Sequence, residues 1–145
     1  KITELLHYYK VVESRSVAKI VKGGKLISFR VIVIVGNYIN LTGIGLGKSK
    51  ILQIAIQKAI LNAHKNLINI FSTKERSIPY ISDAKYKKAK IILYPAREGT
   101  GIIANKHART FLYFCGLNNI FCKQIGCNNI LNNLKALMLA LKNVN

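Results

Sequence analysis

"LTGIGLGKSK", residues 41–50, carries glycines at Gly43, Gly45 and Gly47, then Lys48 and Ser49. How this stretch is read decides the fold. A phosphate-cradling P-loop needs G-x-x-x-x-G-K-[ST], and Gly47-Lys48-Ser49 supplies that ending, but the opening glycine falls on Thr42. A dinucleotide fingerprint needs G-x-G-x-x-G, and here the third glycine comes one residue early. Both patterns miss by one position, so the neighbouring sequence decides.

Upstream, Tyr8 to Ile20 is β-branched and aromatic with partial alternation. "VKGGK" (Val21 to Lys25) reads as a turn, and Ile27 to Val35 as a second strand stopped at Gly36-Asn37. Leu41, Ile44 and Leu46 lie in a third strand. From Lys48 the pattern turns helical, with Leu52, Ala55, Ile56, Ala59, Ala63 and Leu67 as one apolar stripe. A P-loop follows directly on a buried parallel strand, whereas here a hairpin turn and another strand intervene. Magnesium would need a carboxylate at the end of an apolar strand, and none of Glu4, Glu13, Glu75, Asp83 and Glu98 stands there. Glycine at every second position bares one strand face so that another backbone, or RNA, can come close. It is not a nucleotide pocket.

The chain has 145 residues, 50% of them hydrophobic, so it can bury a core. Its 23 Lys+Arg against 5 Asp+Glu give a net charge of +18, which calls for a polyanionic partner. Nucleic acid comes first, since each neutralised phosphate releases counterions; an anionic membrane surface comes second. No apolar run approaches the ~20 residues that span a bilayer, and no membrane partner is expected. A leader or extension ahead of Lys1 is left open. Cys115, Cys122 and Cys127 lack C-x-x-C spacing, so reduced core thiols are preferred to zinc ligation with His107. No cofactor is expected.

Beyond Ile70, "STKERSIPYISDAKYKKAK" reads as a polar linker with a basic run from Lys85 to Lys90. Lys90 to Tyr94 is a strand, and Asn105 to Cys115 a helix with Gly116 as its C′ residue. Ile120 to Ile125 is a strand. Asn128 or Asn129 caps a last helix with Ile130, Leu131, Leu134, Leu137, Met138 and Leu141 on its buried stripe. The expected class is α+β: a β-β-β-α domain over residues 1–70, then a β-α-β-α domain over 71–145.

"VAKIVKGGKLISF" (Val17 to Phe29) resembles the V-x-K-V-V-K-G-G-R-x-x-S-F hairpin of bacterial and organellar small-subunit ribosomal protein S-five. "GIGLGKSKILQIAIQKAILNAHKNLI" resembles that family's G-x-G-x-G-K-A-x-x-x-x-A-I-x-K-A stretch, and "EGTGIIA" (Glu98 to Ala104) its second-domain signature. The motifs run in order from about Val11 to the C-terminus. The resemblance implies a double-stranded-RNA-binding-like first domain and a second with a left-handed crossover. It implies structural rRNA binding in the small subunit beside proteins S-four and S-eight, near the path by which mRNA enters, with an influence on decoding accuracy. It departs from the family at Asn105-Lys106, where the family has a glycine pair, and at Lys87 and Lys88, where the family has small residues.

The expected RNA contacts are the hairpin loop, Lys19, Lys22, Gly23, Gly24 and Lys25, whose glycines let the tip enter a groove while the lysines neutralise phosphates. Lys48 and Lys50 flank a helix start, where cations oppose the helix dipole and a bound phosphate offsets that. Lys58, Lys65, Lys87, Lys88, Arg97, Lys106 and Arg109 complete the set. Of the aromatic residues that could stack bases (Tyr8, Tyr9, Phe29, Phe111, Tyr113, Phe114 and Phe121), most are expected in the core. His7, His64 and His107 are scattered and Ser49 has no base nearby, so no enzyme is expected. A small-molecule kinase remains the rival, because "GLGKS" is faintly similar to a G-L-G-S-S phosphate loop. A free-standing duplex-RNA regulator is the third reading. The Lys, Asn and Ile abundance suggests an AT-rich genome, placing the chain on a plastid (apicoplast-like) ribosome ahead of a bacterial one, and not as a homo-oligomer.

Overall fold

The computed structural model describes residues 8–70, 72–74, 76–126 and 128–144; Glu4, His7, Glu75 and Cys127 lie outside them. Two compact units divide the chain. The first takes residues 1–35 and 43–67, the second residues 36–42 and 68–145. The loop 36–42 therefore belongs with the C-terminal half.

In the first unit, β1 (Tyr8–Val21) and β2 (Gly24–Gly36) flank the turn at Lys22-Gly23, and Gly24 takes the positive φ of 135° that glycine allows. β3 (Leu41–Ser49) follows, then α1 (Leu52–Lys65). The strand runs through Ser49, where the sequence pattern turns helical at Lys48. The reason is that all three glycines are needed on the strand beneath the helix. The buried seam of α1 also differs from the expected stripe: it is Ala55, Ala59 and Ala63, while Leu52 is exposed and Ile56 half-buried. A helix close to a strand needs methyl groups at the contact, and leucine would hold it off.

The second unit opens with the loop 36–42. Asn37 Oδ1 accepts from the backbone N–H groups of Ile39, Asn40 and Leu41, each at 3.0 Å, and Tyr38 sits at φ 62°. Leu41 and Thr42 at the start of β3 pair antiparallel with Asn69 and Ile68 of β4 (Ile68–Asn69). Tyr38 N–H donates to Phe114 O at 2.9 Å and its ring meets those of Tyr113 and Phe114 edge-on.

A second four-stranded sheet follows, in the order β5-β6-β8-β7. It comprises β5 (Ser82–Tyr86), β6 (Ala89–Pro95), β7 (Ile102–Ile103) and β8 (Ile120–Ile125), with α2 (Lys106–Phe114) and α3 (Ile130–Val144). The expected linker thus contains a strand. Ser82 is buried there because its hydroxyl donates to Ala140 O on α3 at 2.7 Å, which satisfies a polar group in the core. Lys87 and Lys88 become the β5–β6 turn, with Lys87 at φ 54°. The unit is therefore β-β-β-α-β-α, where β-α-β-α was expected. β7 and β8 pair in parallel and α2 lies between them in sequence, so this β-α-β connection is a crossover.

Side chains fill this core. Ile91 and Leu93 of β6, Phe111 and Leu112 of α2, Ile120 of β8 and Leu137 of α3 are all at most 1% exposed. Gly116 ends α2 at φ 89°, with Gly116 N–H on Tyr113 O and Leu117 N–H on Leu112 O, both at 3.1 Å. That is the two-bond Schellman stop. Asn105 caps the start of α2 by accepting from Ala108 N–H at 2.9 Å.

Candidate RNA interface

The glycine stretch is the place to test the phosphate reading. A Cβ on Gly45 would lie 1.8 Å from Ala59 O and 2.5 Å from Ala63 N; one on Gly47 would lie 2.0 Å from Ala55 O. Gly43 meets Ala63 O at 2.6 Å in the same way. The bared face of β3 is filled by the backbone of α1, leaving neither a phosphate nor RNA any room there. The same helix covers the strand's carbonyls. Asn62 Nδ2 donates to Leu46 O at 2.6 Å and Asn66 Nδ2 to Ile44 O at 3.4 Å, while Lys58 Nζ lies 3.5 Å from Lys48 O. Residues 58, 62 and 66 recur at four, one face of the helix, and their acceptors at two, one edge of the strand.

The basic side chains stand around this frame. Lys19, Lys22, Gly23, Gly24 and Lys25 are all exposed at the end of the β1–β2 hairpin. A Cβ on Gly23 or Gly24 would meet nothing within 4 Å, so the tip is slim enough for a groove. The hairpin also exposes Val17, Ile20, Val21, Leu26 and Ile27. Lys48, Lys50, Lys58 and Lys65 are exposed as well. The N-cap position of α1 is Ile51, which offers no side-chain acceptor, and the first turn has no acidic residue. The helix start is therefore short of negative partners.

In the second unit Lys87, Lys88, Arg97, Lys106 and Arg109 are exposed. Lys87 and Lys135 each bring Nζ near the Tyr86 ring, at 5.6 and 5.3 Å from its centroid. Arg109 donates to Ala104 O at 3.3 Å. Arg97 lines an open cavity of about 400 Å³ with Thr73, Ser77 and Glu98. The aromatic residues depart from expectation. Phe111 and Phe114 are buried, but Tyr8, Tyr9, Tyr113 and Phe121 are 40% or more exposed. Phe121 was legible in "IFCKQI", whose alternate positions Phe121, Lys123 and Ile125 share one strand face.

Among the described residues no three of His, Cys, Asp and Glu gather as a metal site, and no helix is long and apolar enough to cross a membrane. Burial pushes the thiols of Cys115 and Cys122 up to about 12, so both stay protonated and unreactive near neutral pH.

Two sets of observations converge: a β-β-β-α unit with a basic hairpin tip, and a four-stranded unit backed by two helices. Comparison with known proteins gives the class. Residues 8–71 match ribosomal protein S5, N-terminal domain, and residues 84–145 match ribosomal protein S5, C-terminal domain. The chain is 44% identical over 133 residues to small ribosomal subunit protein uS5c of Cyanidioschyzon merolae, covering 92% of this chain and 87% of that one. It is 45% identical over 132 residues to uS5 of Nostoc punctiforme, 91% and 75% of the two chains. With uS5c of Guillardia theta the identity is 44% over 135 residues, 93% and 80%. The chain belongs to the ribosomal protein S5 family.

Proposed function

We propose that this chain is a structural constituent of the small ribosomal subunit that binds small-subunit rRNA. The observation that carries this is the family match in both halves of the chain, in order. The relatives are ribosomal proteins from cyanobacteria, algae and a plant, which supports a ribosome of the plastid line. It is no enzyme: the relatives are ribosomal components, and the glycine face on which the kinase alternative rested is packed against α1.

The finer reading is a division of labour between the two units. In the first, Lys19, Lys22 and Lys25 neutralise phosphates while Gly23 and Gly24 keep the tip narrow, and Lys48 and Lys50 hold a phosphate at the uncapped start of α1. Lys58 and Lys65 add charge along the helix. In the second, Lys87, Lys88, Arg97, Lys106 and Arg109 contact RNA. The chain sits beside proteins S-four and S-eight, near the path of incoming mRNA, and supports accurate decoding.

The test is binding to a small-subunit rRNA fragment across a salt series, with co-sedimentation on small subunits. If about 6–10 phosphates are neutralised, the log–log slope is about −5 to −9. Lys22→Glu with Lys25→Glu reduces the slope and the incorporation while circular dichroism is unchanged. A slope near zero, or free protein only, refutes the reading.

A further inference from the structure

Strand register arranges the side of the second sheet away from Ala89, Ile91, Leu93 and Cys122, all buried, into three rows. The first joins Tyr94, Phe121 and Ile103; the rings meet edge-to-face at 5.6 Å, with Phe121 40% and Ile103 46% exposed. In the second, Ile92 lies between Asp83 and Lys123. The third joins Lys85, Lys90 and Ile125, both lysines exposed. Successive rows are about 7 Å apart, two residues along each strand.

This face is apolar enough to need an occupant and too basic for an ordinary one. Protein interfaces are depleted of lysine at their centres. Here Lys123, one row from the aromatic pair, and Lys85 and Lys90, two rows away, face a single acid, Asp83, so charge complementarity favours a polyanion. The pair also lies on β6 and β8, the two central strands in the order β5-β6-β8-β7. Phe121 offers an exposed ring on a central strand, held edge-to-face by half-buried Tyr94, that a splayed-out base can cover, and neighbouring lysines reach the phosphates on either side. A duplex keeps its bases stacked on one another and has no use for such rings.

We propose that this sheet face binds an unpaired RNA segment, with a base stacked on Phe121, whose ring Tyr94 braces edge-to-face, and phosphates held by Lys90 and Lys123. The proposal rests on the small-subunit reading only for the source of that RNA, so its test uses a synthetic strand. The full-length chain is titrated into fluorescein-labelled decauridylate, and separately into a duplex rRNA hairpin, by anisotropy. Tyr94→Leu with Phe121→Leu keeps the apolar volume and removes the flat rings. It lowers affinity for decauridylate about 5- to 100-fold and leaves the duplex hairpin unaffected. Lys90→Gln with Lys123→Gln, both on the surface, lowers it too and flattens the single-strand salt slope by about 1.4. In ultraviolet-irradiated small subunits, the peptide bearing Phe121 carries an rRNA adduct. The proposal is overturned if both double variants, folded by circular dichroism, bind decauridylate like wild type. It is also overturned if Lys90 and Lys123 cross-link to a neighbouring protein and Phe121 carries no RNA. Failure of the wild-type chain to bind the duplex hairpin while decauridylate binding persists counts against the proposed hairpin-loop contact alone.

Discussion

The two units solve one problem, seating a helix on a sheet, in opposite ways. In the first, α1 lies on β3 with its alanines over glycines, and the atom nearest to where each glycine's Cβ would stand is a helix backbone oxygen. In the second, α3 stands on β5 and β6 through Leu134, Leu137 and Leu141, each at most 1% exposed. One interface depends on side chains being absent, the other on their filling the gap. Close backbone approach also lets α1 use amides at residues 62 and 66 to satisfy strand carbonyls, which a helix held off by leucine cannot reach. The lesson is that a row of glycines beside a lysine is as well explained by a helix as by a phosphate, and only the next turn of chain tells which.

Gly45→Val gives the largest effect expected. Its Cβ would stand 1.8 Å from Ala59 O, a backbone atom that cannot rotate aside. Relief requires lifting α1, which loses the alanine seam and the Asn62 bond together. We expect a loss of about 4 kcal/mol or more, the range reserved for gross steric conflict, read by urea denaturation. Valine is the better strand former in isolation, so a wild-type midpoint refutes backbone packing as the reason for the glycine. Magnesium-ATP should not raise the wild-type melting temperature; a rise of several degrees that the variant loses restores the nucleotide reading.

Leu137→Ala probes the opposite interface and comes second. Leu137 is fully buried, and its removal leaves a cavity that neighbours fill only in part. A cost of about 3 kcal/mol is expected. The comparison sharpens if Ala59→Leu in the first unit is at least as damaging as Leu137→Ala in the second, since adding atoms should hurt there as removing them does here. If Ala59→Leu is neutral in the same denaturation experiment, the contrast between the units fails.

How much of this was legible follows from the same contrast. Alternating glycines announced a close approach, and the Leu134, Leu137 and Leu141 stripe announced α3, because both are periodic in residue types with one dominant use. The seam of α1 was misread because hydrophobicity ranks Leu52 above Ala55, whereas close packing ranks them the other way. β5 was hidden inside "STKERSIPYISDAKYKKAK" because its buried Ser82 is polar and its acceptor, Ala140 O, lies 58 residues on. No local pattern reports such a partner. The basic loop residues were readable as exposed. The rows on the open sheet face were not, because they exist only once β6 and β8 are in register.

The helix starts give the smallest and most discriminating prediction. α2 begins at Asn105, whose side chain accepts from Ala108 N–H, whereas α1 begins at Ile51, 55% exposed and with extended dihedrals of φ −114° and ψ 129° that suit a capping residue. A serine fits that backbone without strain. Ile51→Ser should therefore stabilise the isolated protein by about 0.5–1 kcal/mol, and Asn105→Ala should cost a similar amount, both by thermal or urea melting. The consequence for RNA separates two explanations of the missing cap. If the uncapped N–H groups of Gln53 and Ile54 hold a phosphate beside Lys48 and Lys50, the serine hydroxyl competes for the same donors, and Ile51→Ser weakens rRNA binding severalfold while raising stability. If the start of α1 merely faces water, stability rises and binding is unchanged, and the assignment of Lys48 and Lys50 to an RNA contact falls. A variant that gains stability and loses affinity would be hard to explain except by an anion at that helix start.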